Sequence, residues 1–160
     1  MRLVLHVVGR LKAGPERDLC AHWLARCGQV ARRAGLSGPD LREIDESPAR
    51  RAADRKAEEA RALRTALPPG ATLVLFDETG ENLGSRAFAD FIAKARLRAA
   101  PAAVFALGGP DGHDPALRPL AAKTVAFGAM TWPHGLARIM AAEQLYRAAS
   151  ILVGSPYHRD

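Results

Sequence analysis

Five short apolar runs, each closed by glycine or a polar residue, alternate along the chain with longer stretches in which apolar side chains recur every three or four positions. Residues 3–8 run apolar into Gly9 and predict a buried first strand, with His6 a satisfied core or sheet residue. Residues 15–34 carry Leu19, Trp23, Cys27 and Val30 at spacings of four, four and three, one face of a helix. A break at 35–39 leads to a short second strand over 41–45. Ser47 as N-cap with Pro48 at the first helical position opens an Ala/Arg/Glu-rich helix reaching about residue 67. Residues 72–76 are a third buried strand, ending in Asp77, Glu78, Thr79 and Gly80. Ser85 is expected to cap a helix whose stripe is Phe88, Phe91, Ile92 and Ala95. A fourth strand covers 102–107, a short helix starts near His113, a fifth strand covers 124–127, and a last helix covers 135–150. Strands alternating with helices predict an α/β fold: a single domain, residues 1–160, with an open, mostly parallel sheet and helices on both faces.

Composition narrows the class. Residues 1–70 hold 14 Lys/Arg against 9 Asp/Glu, and residues 71–160 hold 9 against 8, so the net charge of +6 belongs mainly to the first half. A basic surface of this kind attracts phosphate backbones without reading sequence; an arginine-rich proteome would give the same composition. In the polar helix after Ser47, Arg50, Arg51, Arg55 and Lys56 have two readings: an RNA-facing edge, or a solvated face supported by i,i+4 neighbours such as Arg55 and Glu59. Cys20 and Cys27 lie too far apart along one helix for a disulfide and read as packing thiols of a reducing compartment. No matching His/Cys cluster suggests a metal site. No membrane-length apolar run or signal-peptide pattern is present, so a cytoplasmic protein is expected.

Three stretches carry candidate chemistry. Residues 104–113 read Val-Phe-Ala-Leu-Gly-Gly-Pro-Asp-Gly-His, a buried strand entering a glycine-rich turn. Such a turn either simply connects elements or presents its backbone to a ligand. Residues 125–134 run from apolar positions into Thr131-Trp132-Pro133-His134, ahead of a helix carrying Arg138 and Glu143. The chain closes on Pro156, Tyr157, His158, Arg159 and Asp160, richer in rigid and hydrogen-bonding groups than an idle tail requires. Glu143 sits near the apolar stripe of its helix, where it either pairs with Arg147 one turn on or takes part in chemistry.

In combination, Gly-Gly-Pro-Asp-Gly after a strand, Met-Thr-Trp-Pro-His before a helix, Glu-Gln-Leu-Tyr-Arg-Ala within it, the closing Pro-Tyr-His-Arg and the opening Val-Val-Gly-Arg-Leu-Lys resemble the RlmH family. These are bacterial methyltransferases that modify N3 of a pseudouridine in 23S ribosomal RNA of the large subunit. The resemblance spans nearly the whole chain. It implies a SPOUT-type fold with a C-terminal trefoil knot, S-adenosyl-L-methionine as donor, no metal, and a homodimer whose sites borrow residues from both copies. It implies cofactor contacts at Phe76, where the family usually has leucine, at Gly108, and at Phe127, Gly128, Ala129, Met130, Thr131 and Trp132. The acceptor nitrogen must lose a proton, for which His134, Arg138, Glu143, Tyr157 and His158 are the candidate catalytic groups. A SPOUT enzyme acting on another RNA, or a ribosome-binding module without catalysis, are the alternatives. A dinucleotide-type site is disfavoured, because no G-x-G-x-x-G follows the first strand.

Overall fold

A computed structural model describes residues 1–159. Five strands form one sheet in the order β2-β1-β4-β3-β5, every pair parallel. They are β1 (Arg2–Val8), β2 (Ser37–Ile44), β3 (Thr72–Asn82), β4 (Ala102–Leu107) and β5 (Lys123–Ala126), connected through α1 (Pro15–Ala31), α2 (Ala52–Ala66), α3 (Ser85–Leu97) and, after β5, α4 (His134–Leu152). Because side chains alternate across a strand, the sheet has two apolar faces. Leu3, Leu5, Val7, Val74, Phe76, Phe105 and Leu107 pack beneath α1, α3 and α4. Val4, Leu73, Leu75, Val104 and Ala106 pack beneath Ala60 and Leu63 of α2 and Leu117 of a short 3-10 helix, Pro115–Leu120. The expected single-domain parallel sheet with helices on both faces is the observed one.

Several boundaries and partners differ from the expectations, each for a local reason. β2 is longer than its sequence suggests and half exposed, because it lies at the sheet edge and is held by main-chain pairing to β1 rather than by apolar side chains. In α1 the buried line is Cys20, Cys27 and Ala31, whereas Leu19 is exposed. The helix predicted from Ser47 begins at Ala52 with Arg51 at the N-cap position. Ser47 instead gives its N–H to Glu59 (3.1 Å) and its hydroxyl to Glu58, tying the entering segment to the side of α2. Ser85 does not cap α3; the N-cap is Gly84 and no side chain serves it. His6 is buried as expected, but its Nε2 has no hydrogen-bond partner.

β3 departs most from its expected end. Phe76 pairs with Val125, and after a bulge over 77–80 the strand rejoins β5 at Glu81 and Asn82. There the two backbones are so close that a Cβ on Gly80 would lie 2.6 Å from the Val125 main chain. The Gly128 N–H donates to Asn82 Oδ1 at 3.1 Å, holding the chain that leaves β5 against this segment.

Candidate active site

The strands all point one way, so their carboxyl ends share an edge, and in open α/β sheets ligands bind at that edge. Here β3 carries the 77–80 bulge, β4 ends in the glycine-rich turn, and β5 in the 127–133 loop. Together they enclose a cavity of about 510 Å³.

Each wall has a local cause. The turn is tight: Gly112 N–H donates to the Gly109 carbonyl at 2.9 Å, and Gly112 has φ +77°. A Cβ on Gly108 would sit 2.8 Å from the Gly112 carbonyl carbon, so glycine at 108 is required by the turn's own closure. Phe76 and Phe127 stack with ring centroids 4.7 Å apart at 20°, an offset aromatic pair that forms an apolar wall. Trp132 donates from Nε1 to the Phe127 carbonyl (3.2 Å), closing the 127–132 loop on itself. Met130, 72% exposed, and Trp132, 40% exposed, show more apolar surface than a finished core would leave.

Of the sequence-predicted cofactor residues, Phe76, Gly108, Phe127, Gly128, Met130, Thr131 and Trp132 line this one cavity; Ala129 is on the same loop but outside the lining. Sequence reasoning missed Asp77, Glu78, Thr79, Asp111 and Arg118, which also line it. Asp77, Glu78 and Thr79 form the bulge of β3 just past its apolar run, at the same edge as the glycine turn after β4, and that position was the available signal. Asp77 accepts from the Thr79 N–H at 2.9 Å, and Arg118 reaches both residues. Burial acts to raise the Asp77 carboxyl, but the hydrogen bonds from Thr79, with His113 and Arg118 nearby, hold it below the usual carboxylate range. His113 also lines the cavity, with Nε2 3.2 Å from the Ala106 carbonyl.

The five candidate catalytic residues divide. His134 opens α4 and borders the cavity. Burial lowers its pKa, and the neighbouring Arg138 guanidinium lowers it further. Nε2 lies 3.3 Å from Arg138 Nη2, which can only donate, so the imidazole is neutral with Nε2 accepting. Arg138 is 1% exposed and bonds to Glu43 and, at 2.7 Å, to the carbonyl of Gly9. It therefore joins α4 to the ends of β1 and β2 and does not face the cavity.

Glu143 and Tyr157 stand elsewhere. Glu143 accepts from Arg147 Nη2 (2.6 Å) and from the Tyr157 hydroxyl (2.9 Å). Burial and this carboxylate raise the Tyr157 pKa. The tail packs on its own chain through Tyr157, whose ring lies 4.6 Å from Tyr146 and 6.0 Å from Trp23. Glu143 and Trp23 line a second cavity, about 440 Å³, which shares Phe76, Phe127 and Gly128 with the first. His158 is half-buried beside Tyr157 in the same tail. Within one chain, then, Phe76 and Phe127 stand between the two cavities, Glu143 lines the second, and Tyr157 of the tail bonds to Glu143 without lining either. No group of three or more His, Cys, Asp or Glu side chains suited to a metal ion exists among the described residues.

Residues 1–158 match the family described as "Predicted SPOUT methyltransferase". A Methylobacterium radiotolerans protein named ribosomal RNA large subunit methyltransferase H is 54% identical over 160 residues, covering 99% of this chain and 98% of its own. One of the same name from Brucella anthropi is 51% identical over 160 residues, covering 100% of both. Among solved structures, a probable methyltransferase from Bordetella pertussis Tohama I aligns over 92% of this chain and 95% of its own with a TM-score of 0.52 at 15% identity, a likeness of fold alone.

Proposed function

The chain belongs to the SPOUT methyltransferase family, and from that membership we propose that it is an S-adenosyl-L-methionine-dependent methyltransferase of 23S ribosomal RNA, acting on N3 of a pseudouridine. The observation that carries the donor site is the convergence of seven predicted contact residues on one cavity. That cavity fits the group: a stacked aromatic wall suits a flat base, main-chain N–H and C=O groups of the turn suit its hydrogen bonds, and the anionic Asp77 complements a sulfonium. When bound, the donor supplies a methyl group on a good leaving group, and no metal is required.

The protein's part is then to bind, orient and manage one proton. Phe76 and Phe127 hold the apolar face, and Gly108 lets the turn close against the ligand. His134, neutral and at the cavity's edge, is our candidate among the five to accept the acceptor nitrogen's proton. Arg138, buried behind it, holds the imidazole in its orientation in the unbound chain by donating to Nε2. Before His134 takes a proton at Nε2 it must swing away from that guanidinium, so substrate binding and reorientation of the ring go together.

A cytoplasmic homodimer completes the site. Glu143, Tyr157 and His158 do not line the donor cavity of their own chain, and a symmetric pair lets each tail approach the other copy's cavity. The test is methylation of purified large subunits lacking the modification, with label on the donor methyl and mass spectrometry of the 23S RNA. Label on one pseudouridine is expected. Label on transfer RNA alone would keep the enzyme class and overturn the substrate, and no transfer to any RNA would favour a binding module.

A further inference from the structure

The glycine-rich turn is gripped from outside by a side chain that neither the cofactor contacts nor the proton transfer calls on. Arg55, in the first turn of α2, donates from Nε to Asp111 Oδ2 at 2.7 Å and from Nη2 to Asp111 Oδ1 at 3.0 Å, a bidentate pair at the apex of the turn. Its Nη1 donates to the carbonyls of Ala49 (3.1 Å) and Arg50 (3.0 Å). One guanidinium thus binds the cavity's turn and the segment that carries the exposed Arg50 and Arg51. Glu59, one turn along α2, lies against the same turn. Its carboxylate accepts from Ser47 N–H, and its oxygens lie 3.1 to 3.4 Å from where a Cβ of Gly109 would be. Both side chains of the Arg55–Asp111 pair are about three-quarters buried. The pair is therefore better shielded from solvent than an ordinary surface ion pair.

We propose that Arg55 is a positioning residue for the reaction: by holding Asp111 it sets the glycine turn in its cofactor-binding shape, and it couples that shape to phosphate contacts made by Arg50 and Arg51. The inference rests on the methyltransferase reading above. Its physical content is linkage. If RNA orders the 49–51 segment, the carbonyls that Arg55 holds become fixed, the turn is stabilised, and cofactor affinity rises; cofactor must then raise RNA affinity by the same factor.

The experiment is calorimetry of S-adenosylmethionine binding to the full-length wild type, Arg55→Ala, Arg55→Lys, Asp111→Ala and the Arg55→Ala/Asp111→Ala double variant, with and without saturating large ribosomal subunits. Thermal unfolding checks that each variant is folded. Without RNA, Arg55→Ala should weaken cofactor binding roughly fivefold, through loss of the bidentate hold on Asp111. Asp111→Ala should match it, the double variant should lose no more than either single one, and Arg55→Lys should recover only part, because lysine lacks the planar fork. Large subunits should tighten cofactor binding to the wild type and not to Arg55→Ala, a difference that a purely structural role would not produce. Wild-type affinity and undiminished tightening in folded Arg55→Ala would overturn the inference and leave the methyltransferase reading intact. Absence of cofactor binding to the wild type would overturn that reading and the inference with it. Should Arg55→Ala fail to fold, Arg55→Lys and Asp111→Ala carry the same comparison, and wild-type behaviour in both would overturn the inference.

Discussion

Gly108 shows how one position sets the shape of the site. Its absent side chain leaves room for the Gly112 carbonyl carbon, 2.8 Å from where a Cβ would be, so a substitution acts first on the turn and only through it on the ligand. Gly108→Val should cost roughly 1–3 kcal/mol of stability, as overpacking does, and weaken cofactor binding more than tenfold by calorimetry. Gly84→Ala, at a position with open space around it, should change neither. Unchanged affinity in a folded Gly108→Val protein would remove the turn from the binding site. The histidines give a second residue-scale prediction. His6, His113 and His134 all have pKa values lowered, chiefly by burial. Above about pH 7 each is neutral whether folded or unfolded and adds no pH dependence. As pH falls through the ordinary histidine value of about 6.5, the unfolded chain takes up protons that the folded chain refuses, so stability falls with pH. Melting temperature should drop between pH 7.5 and 5.5, and His6→Leu should flatten that slope; a variant with the wild-type slope would contradict the assignment of His6.

At the scale of elements, the strands most legible in the sequence are the ones buried on both faces. Residues 104–107 are uniformly apolar and bounded by glycine, and they sit at the centre of the sheet. β2 was legible only in part, because an edge strand held by backbone pairing needs no apolar run. The cavity's main residues were legible because each closes or follows an apolar strand run. The partner of Arg55 was not: helical spacing suggested Glu59, and the true partner is 56 residues away in sequence. Arg138 had a signal that was missed. Arg138, Ala142, Leu145 and Ala149 are four, three and four apart, which places the arginine on α4's buried stripe. The polar face of α2 admits a direct test. Arg50 and Arg51 are exposed, and the carbonyl that Arg55 uses at position 50 survives replacement of the side chain. Arg50→Ala/Arg51→Ala should lower RNA affinity at moderate salt and reduce the salt-dependence slope by about one unit per lost phosphate contact. An unaltered slope would return α2 to a solvated face.

For the whole molecule, one 160-residue chain builds the cavity proposed for the donor at the strand ends and packs its tail elsewhere. Deleting residues 156–160 should abolish or severely reduce methylation while leaving the fold and most cofactor affinity intact. Mixing the truncated protein with Arg138→Ala, when each alone is inactive and subunits exchange, should recover activity if tails act across a dimer. Failure despite demonstrated exchange would count against a shared site. All of this presupposes the chemical outcome, which one measurement reads directly: mass spectrometry of 23S ribosomal RNA from cells with and without the gene for this protein. The account predicts a single pseudouridine that loses one methyl group, 14 Da by the chemistry of that group, in the deletion strain and regains it on complementation by the wild type but not by Gly108→Val. An identical methylation pattern in 23S RNA from the two strains would contradict it.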